Sequence, residues 1–590
     1  MAIVIRDIAP VAHLPLILGV LRKLNVAPLV DTIIPPHPEH VLSCGRGVEA
    51  LVLAILDGHH ALYKVGTRLD ERGMLPLLQP GLTRHSVHDT RLGQILDALF
   101  TANLNRVFGV IALNALETYA ISTPWIHQDT TTISLYGAYE AAGGPEAPRP
   151  AYGHTKDGRP DLKQVLLSLG VSGDGGLPLR MELCDGNTSD SVDVRHAIQD
   201  SLALGLDGVQ GIVADSKAYS QRTLGLCVEQ QVGLVTLVPR TCAIRQEVEA
   251  WGQQQRSLPL LLEKPGRRRQ DTPRRWYGRS VTRQVEVEYA DGRVGLEPIR
   301  FVAGYSHQLA QQHAQASITA QTQAAEEVAQ HITQVEGRRF ACETDAEAAV
   351  AEYEGSGQGR RGRRPCPWHS HTVHYQVQTE WRRKKRTHRG RPAKTEQPED
   401  ERCYRLVVEA KPLTPPVHTY GWLVLATTLH GDACGDAEIV RAYRNQTTTV
   451  EPGFRWIKNP AAISPVWLEK AERIAALAML TVVGLLVYAL IQRQVRQYLQ
   501  HHHQRVPGNK GDTTMPTAAV VLTLFAHVTM VHLALDDAAV RQVHGWQGHH
   551  RLVCDALGVD TSWYAVLAEQ KNNPASLLPD FPHSPCYFHE

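Results

Sequence analysis

The first 118 residues carry apolar side chains at the three- and four-residue spacing of amphipathic helices. Runs such as "HLPLILGVLRKLNVAPLVDTII" and "GRGVEALVLAILDG" place leucine, isoleucine and valine on one face of a helix. The run "HSVHDTRLGQILDALFTANLNRVFGVIALNALETY" continues the pattern to the end of this region. The sequence therefore predicts an all-α N-terminal domain over residues 1–118.

The pattern changes at residues 119–240 to short apolar runs between turn residues. "WIHQDTTTISLYG", "KQVLLSLGVSG", "LPLRMELCDGN" and "GIVADSKAYS" are β-rich and bounded by Gly, Asp or Asn. After a polar, uneven stretch at 241–410, "YGWLVLATTL" has the pattern of a buried strand, and helical patterns follow it. We therefore predict an α/β core in two parts, 119–240 and 411–504, which an insertion at 241–410 separates.

The C-terminal region, residues 505–590, is mixed and contains one clear helical pattern, "AAVVLTLFAHVTMVHLAL". Before it, the longest apolar run of the chain, "AALAMLTVVGLLVYALI" at 475–491, is 17 residues long. That length is marginal for a membrane-spanning helix, which needs about 20 apolar residues. We predict a buried core helix there, and a membrane helix is the alternative.

Composition narrows the class of protein. With 590 residues, 43% of them hydrophobic, the chain can form several cores, and its 61 Lys and Arg nearly balance its 60 Asp and Glu. The ten cysteines include no C-x-x-C pair, which excludes a disulfide scaffold and favours a reducing cytoplasm. The N-terminus also lacks the layout of a signal peptide.

Three acidic residues are candidate functional residues because of their positions at the ends of predicted strands and at the start of a predicted helix. Asp129 ends the run "WIHQD", Asp215 ends "GIVAD", and Glu451 opens "EPGFRWIK". Two strands that each end in Asp and a helix that begins at Glu can bring three carboxylates to one edge of a sheet. Hard divalent cations such as Mg²⁺ prefer such oxygen ligands. Ordinary strand-end acids and a surface helix are the alternatives.

The helix predicted from Glu451 has local support in the sequence. Pro452 would occupy the first helical position, where its missing N–H costs nothing. Glu451, Arg455 and Lys458 would then share one face, at spacings of four and seven residues. A carboxylate and two cations could therefore project towards one substrate.

Five segments, in order, carry a resemblance to a known family. "HQDTT", "YGHTKDGRPDLKQVLLSL", "LCDGNTSD", "IVADSKAYS" and "VEPGFRWIKNP" resemble motifs of the DDE transposases of bacterial insertion sequences, in the IS4-like superfamily and of the IS1634 type. The resemblance spans roughly residues 1–500. It implies an α/β ribonuclease-H-like catalytic core with an inserted domain, preceded by the helical N-terminal domain as a DNA-end-binding domain.

The resemblance also implies roles for single residues. Asp129, Asp215 and Glu451 take the positions of the metal ligands, for two Mg²⁺ or Mn²⁺ ions, and Lys458 matches a catalytic lysine. Tyr443 and Arg444 resemble the Tyr and Arg that precede the Glu in these enzymes. The implied reaction is cleavage of the element's ends and joining of the 3′-OH to target DNA.

Two basic segments also favour DNA as the partner. Residues 264–283 contain eight Lys and Arg with one acid, and residues 359–394 contain twelve with one acid. Neutralisation of phosphates dominates affinity for DNA. The candidate DNA contacts are Lys156, Arg159, Arg382, Arg383, Lys384, Lys385, Arg386 and Arg455. A solvated charged surface is the alternative for each.

Other interpretations of the same sequence remain open. "CPWHSHTVH" at 366–374 offers one Cys and three His, which is a weak pattern for structural zinc. A metal-dependent nuclease without strand transfer would need the same acids. A DNA-binding protein derived from an inactive transposase would keep the basic segments. For the transposase, pairing of two DNA ends implies a homodimer on double-stranded DNA in the bacterial cytoplasm, at the nucleoid.

Overall fold

The structure, a computed structural model, describes most of the chain in two compact units. The described residues are 3–58, 61–137, 139, 147–153, 159–188, 190–203, 208–266, 272–355, 371–384, 400–412, 420–458, 468–535 and 538–564. The first unit comprises Met1–Arg245, Ser280–Val302 and Leu425–Glu590. The second comprises Gln246–Arg279 and Ala303–Val424.

The N-terminal region is helical apart from one strand that its pattern did not predict. Its elements are β1 (Ile3–Ala9), α1 (Leu14–Lys23), α2 (Val26–Ile33), α3 (Cys44–Leu56), α4 (Leu62–Glu71), α5 (Leu75–Leu78), α6 (Asp89–Thr101) and α7 (Leu104–Thr118). The strand β1 forms because it has a partner far along the chain: it pairs antiparallel with β13 (Thr529–Leu535).

Side-chain caps fix where two of these helices begin. Ser43 precedes α3, and its hydroxyl accepts a hydrogen bond from the N–H of Arg46 at 3.1 Å. Asn103 precedes α7, and its side-chain oxygen accepts from the N–H groups of Asn105 and Arg106 at 3.0 and 3.2 Å. Such caps satisfy N–H groups that the first helical turn leaves without a partner.

The elements of the middle of the chain alternate strand and helix and then become longer and more exposed. They are β2 (Trp125–Leu135), β3 (Lys163–Ser172), β4 (Pro178–Cys184), α8 (Asp190–Ala203), β5 (Gly211–Ala214), α9 (Gln221–Glu229), β6 (Gly233–Leu237), α10 (Ala243–Gln253), β7 (Leu260–Lys264), β8 (Arg274–Glu288), β9 (Val294–Tyr305), α11 (His307–Glu336), α12 (Glu343–Gly355), β10 (His371–Arg383), β11 (Asp400–Pro412) and β12 (Trp422–Thr427).

One large mixed sheet contains most of these strands. Its order is β4-β3-β2-β5-β6-β12-β9-β8-β7. β3 runs antiparallel to both β2 and β4, whereas β2, β5 and β6 run parallel to one another. β12 then pairs antiparallel with β6. The carboxyl ends of β2, β5 and β6 therefore point in one direction, which positions the candidate site.

The last elements complete the first unit. They are α13 (Asp436–Ile457), α14 (Ala471–His501), α15 (Ala518–Leu524), β13 (Thr529–Leu535), β14 (Ala538–His544) and α16 (Gly548–Leu557). The helix predicted from "AAVVLTLFAHVTMVHLAL" is wrong in its second half. The helix α15 ends at Leu524, and the β-branched and apolar residues from Thr529 onward form β13, because β1 and β14 pair with it on either side.

The apolar helix α14 lies at the centre of the first unit's core. It packs against α1, α3, α6, α7, α13, α15, α16 and β4. Among the described residues it is the one single helix long and apolar enough to cross a membrane, and 94% of its most apolar window is buried inside the protein. The prediction of a buried core helix at 475–491 is confirmed by this packing.

The second unit contains a smaller core under a two-stranded sheet. β10 and β11 pair antiparallel along their whole length, from His371 opposite Pro412 to Arg383 opposite Asp400. One face of this hairpin packs on α11 and α12 through a small apolar cluster around Val335. The described chain is thus a mixed α/β protein with a large mixed sheet and an N-terminal helical region.

Candidate functional site

Asp129 lies in the middle of β2, so the expectation that it ends a strand is wrong. The strand continues to Leu135 because each residue from Thr130 onward pairs with β3. On its other side, however, β2 pairs with β5 only from Trp125 to His127. Asp129 therefore lies just beyond the end of β5, where its half-buried carboxylate is not covered by that neighbouring strand.

Asp215 follows β5 directly, as its sequence run predicted. It caps a short 3₁₀ turn at Ser216–Ala218, and its carboxylate accepts a hydrogen bond from the N–H of Lys217 at 2.9 Å. Its backbone carbonyl accepts from the hydroxyl of Thr236 on β6 at 2.6 Å. The residue is therefore held where the chain leaves the sheet.

The register of β2 and β5 brings the two acids to the same level. His127 lies opposite Val213 in this parallel pair, and Asp129 and Asp215 are each two residues further along. Neighbouring strands are about 4.8 Å apart. Asp129 shares a face of β2 with His127 because side chains alternate along a strand. Its carboxylate also accepts a hydrogen bond from the N–H of Thr130 at 2.7 Å.

The charges of both acids affect the pKa of Tyr443, which lies on α13. Burial is the main cause that raises the pKa of Tyr443 to about 12. The charges of Asp215 and Asp129 raise that pKa further, while those of Arg444 and Arg245 lower it. The phenol therefore stays protonated at neutral pH. Asp129, Asp215, Tyr443 and two guanidinium groups form one cluster, the acid–tyrosine cluster.

Arg245 was not singled out from the sequence. It follows β6 by a few residues, at the start of α10, and its side chain is only 6% exposed. Its guanidinium donates a hydrogen bond to the carbonyl of Val238 at 2.7 Å. The positive charge of this buried arginine acts on Tyr443, as do the charges of Asp129 and Asp215.

Glu451 lies inside α13 rather than at the start of a helix, which corrects the expectation from the sequence. The helix begins at Asp436, fifteen residues earlier, with Gly435 at the capping position. Pro452 is an internal residue of this helix. The preceding segment, which contains three threonines, is helical too, and their hydroxyls donate to backbone carbonyls three or four residues earlier. Packing of α13 on the sheet and on α14 supports the longer helix.

The structure brings two of the three predicted acids together. Glu451 is exposed and lies eight residues beyond Tyr443 on α13, which corresponds to about 12 Å along the helix axis. Within the described ranges, no group of three or more His, Cys, Asp or Glu side chains is placed to hold a metal ion. The carboxylates of Asp129 and Asp215 nevertheless suit a hard divalent cation, because both offer oxygen ligands at one level.

The remaining predicted residues outside the β10–β11 hairpin fall into three groups. Lys458 is the half-buried residue that caps the end of α13, and Arg455 is exposed one turn before it. Arg159 is exposed and paired with Asp161 at 2.7 Å. Lys156, Lys385 and Arg386 lie outside the described residues.

Three exposed cations lie at the end of the β10–β11 hairpin. They are Arg382, Arg383 and Lys384, and all three side chains face solvent. Arg382 and Arg383 have Glu401 and Asp400 as their cross-strand partners. Of the weak zinc pattern, only His371 and His374 are described, both on β10, and no metal-ligand cluster is found around the described residues.

Comparisons with known proteins give a family match for the N-terminal region and a weak likeness to one solved structure. Residues 6–113 match the protein family described as "Domain of unknown function (DUF4277)". No curated protein matches the chain. Among solved structures, the chain is similar to piggyBac transposase in the cryo-EM structure of its synaptic complex with hairpin DNA. That likeness is weak: 8% identity and a TM-score of 0.33, over 87% of this chain and 80% of that chain.

Proposed function

We propose that the protein is a DDE transposase that cleaves the ends of an insertion sequence and joins the 3′-OH to target DNA. The observation that carries the proposal is the acid–tyrosine cluster, with Asp129 and Asp215 at one level of neighbouring parallel strands. The family matched at residues 6–113 is typical of transposase-like proteins, which supports the same class. The five motifs described above support the IS4-like, IS1634-type assignment.

The strand order supports a ribonuclease-H-like core within the large sheet. In the part β4-β3-β2-β5-β6, only β3 runs against its neighbours. This is the strand order expected of such a core. Asp129 then belongs to the core's first strand and Asp215 follows its fourth, so that the two acids meet at one edge.

Asp129 and Asp215 would hold the Mg²⁺ or Mn²⁺ ions, with Glu451 as the third ligand. Two such ions, when bound, stabilise the attacking and leaving oxygens of an in-line phosphoryl displacement. Tyr443 keeps its proton at neutral pH and can donate a hydrogen bond to a phosphate oxygen. The charge of Arg245 acts on the same tyrosine.

DNA would be held by residues outside the acid–tyrosine cluster. Lys458 lies seven residues beyond Glu451, which is about 10 Å along the helix axis, and that is too far for a tight ion pair with its carboxylate. It would hold a phosphate next to the scissile one. The other proposed DNA contacts are Lys156, Arg159, Arg382, Arg383, Lys384, Lys385, Arg386 and Arg455. The partner would be double-stranded DNA bound by a homodimer, at the nucleoid in the bacterial cytoplasm.

The test is incubation of the purified chain with Mg²⁺ and DNA that contains the element's ends, followed by mapping of the products. We expect Asp129→Asn, Asp215→Asn and Glu451→Gln each to abolish cleavage and leave binding of the ends largely intact, because each removes a charged metal ligand. Asp555→Asn, which changes an exposed acid on α16, is the matched control and should cleave normally.

The products separate this proposal from its rivals. Joined 3′ ends support a transposase, whereas nicks without joining identify a nuclease. Binding of the ends without any cleavage by the wild-type chain identifies a DNA-binding protein. Near-wild-type cleavage by one of the three acid variants removes that residue from the site.

A further inference from the structure

A buried threonine holds the backbone at Asp215. Thr236 lies on β6, its side chain is 0% exposed, and it is the last residue of β6 that pairs with β5, opposite Ala214. Its hydroxyl donates a hydrogen bond of 2.6 Å to the carbonyl oxygen of Asp215, one residue past the end of that pairing. The bond therefore extends the contact between the two strands to the residue that bears the acid.

Two further hydrogen bonds at Asp215 come from its own turn. The same carbonyl accepts from the N–H of Ala218 at 3.1 Å, and the carboxylate accepts from the N–H of Lys217. Both donors belong to the 3₁₀ turn, so they would move together with Asp215 if that turn shifted. Thr236 belongs to the neighbouring strand, and its hydroxyl ties the turn to the sheet.

This tie supports the level of Asp215 relative to Asp129. The paired register of β5 stops at Ala214, whereas Asp129 lies within a long strand whose residues from Ile126 to Leu135 all pair with β3. Asp215 lies one residue past the last paired residue of β5. Its position along the strand and the direction of its carboxylate can therefore change when the turn that follows moves. A cation that needs both carboxylates is sensitive to such a change.

We propose that Thr236 is a positioning residue, which through its hydroxyl holds the Asp215 carboxylate at the level of Asp129 for divalent-cation binding. The inference rests on the proposed function, since it assumes that Asp215 is a metal ligand. It adds a residue that neither the motifs nor the spacing of the acids identifies.

Two substitutions separate the hydroxyl from the shape of the side chain. Thr236→Val keeps the branched shape and loses the hydroxyl, while Thr236→Ser keeps the hydroxyl and loses a methyl group. Thr481→Val is the matched control: Thr481 is also buried, at 1% exposed, and its hydroxyl donates to the carbonyl of Leu477 at 2.9 Å, but it lies on the core helix α14.

The first measurement is binding of Mn²⁺ alone to the full chain, by calorimetric titration without DNA. We expect Thr236→Val to raise the dissociation constant for Mn²⁺ about fivefold, as the loss of one hydrogen bond would. Thr236→Ser and Thr481→Val should bind Mn²⁺ as the wild type does. The Mg²⁺ concentration for half-maximal cleavage should shift in the same order, and thermal unfolding of each variant shows whether it folds.

Two results would overturn the role of Thr236. One is wild-type Mn²⁺ binding by a folded Thr236→Val variant. The other is weaker binding by Thr236→Ser than by Thr236→Val, because that order would follow packing rather than the hydroxyl. Asp215→Asn, titrated alongside, separates this proposal from the proposed function. If it binds Mn²⁺ normally, Asp215 is no ligand; if it loses Mn²⁺ while Thr236→Val does not, only the positioning role fails.

Discussion

At the scale of single residues, the acid–tyrosine cluster combines two carboxylates with groups that make their charge tolerable. An ionised carboxylate in a partly buried place is costly unless it is paired, hydrogen-bonded or bound to a metal. Asp129 and Asp215 each accept a backbone N–H, and the charges of Arg444 and Arg245 act at the same place. Both carboxylates therefore have backbone hydrogen-bond donors, which offset part of the cost of their burial.

His127, two residues before Asp129, makes stability depend on pH. Its side chain is 1% exposed, its Nδ1 has no hydrogen-bond partner among the described residues, and burial lowers its pKa to about 4. Below pH 6.5 the unfolded chain binds a proton here that the folded chain does not bind until about pH 4. We expect this residue to contribute about 3 kcal/mol of stability at neutral pH, which is lost as the pH falls from 6.5 towards 4.

Urea unfolding of the wild type and of His127→Gln at a series of pH values tests this expectation. The variant should lose less stability than the wild type between pH 6.5 and 4, because the glutamine does not titrate. His550, whose pKa burial also lowers to about 4, remains in both proteins and supplies an equal background. Parallel pH curves for the two proteins would contradict the expectation.

At the scale of elements, α13 shows that the sequence predicted the apolar face of a helix but not where the helix begins. The apolar face of Val450, Phe454 and Ile457 was predictable from spacing, and all three are buried. The start of the helix was not, because a proline after Glu451 is the usual mark of a first turn. Packing of α13 on β2, β5, β6 and α14 extends the helix through that proline. Tertiary contacts of this kind leave no local signal in the sequence.

The internal proline of α13 gives a prediction about stability. Pro452 has no N–H for the backbone hydrogen bond of an internal helical residue, which costs up to about 3 kcal/mol in a helix interior. We expect Pro452→Ala to raise the free energy of unfolding by about 1–3 kcal/mol, measured by urea unfolding. Pro507→Ala, at an exposed position outside any helix, is the control and should lower it slightly. A destabilised Pro452→Ala would show that the ring itself contributes packing.

The end of the β10–β11 hairpin gives a prediction about DNA. Contacts to phosphate position a protein without carrying sequence information directly. Replacement of Arg382, Arg383 and Lys384 by alanine should therefore weaken binding to element ends and to random duplexes by the same factor. The slope of log K against log salt should become shallower, by about 0.9 for each phosphate that the protein no longer neutralises.

The control for this prediction is an exposed cation outside the β10–β11 hairpin. Arg293 is 74% exposed and pairs with Asp291 at the turn between β8 and β9, and Arg293→Ala should leave both affinity and salt slope unchanged. Loss of discrimination between the two DNAs with an unchanged slope would mean that the hairpin reads bases. Unchanged affinity would remove the three cations from the DNA contacts.

The site shows the same division between what the sequence could and could not predict. Asp215 was placed correctly because a short apolar run ending in Asp is a local pattern. Asp129 was expected at a strand end, yet β2 continues because β3 supplies partners that lie 28 to 38 residues away along the chain. Thr236 and Arg245 could not be singled out, since a threonine in a strand and an arginine after one are ordinary features until the neighbouring strand is known.

At the scale of the whole molecule, one core unites segments from opposite parts of the chain. The core of the first unit includes residues from the N-terminal helices, from α14 and from α16. β1 pairs with β13, and the hydroxyl of Tyr564 donates to the carbonyl of Ala12 and accepts from the N–H of Leu16. The N-terminal helical region is thus completed by residues near the other end of the described chain.

This closure has a consequence for how the protein is made. The hydrogen bond between Leu16 and Tyr564 joins residues 548 positions apart, so Tyr564 emerges from the ribosome long after Leu16. At ordinary rates of synthesis the interval is roughly half a minute to two minutes. Until β13 and α16 emerge, β1 has no partner strand, and the apolar faces that α16 will cover are open to chaperones and proteases. A polypeptide that stops before β13 would lack both the partner strand of β1 and the helix α16, so the apolar faces that α16 covers would stay exposed.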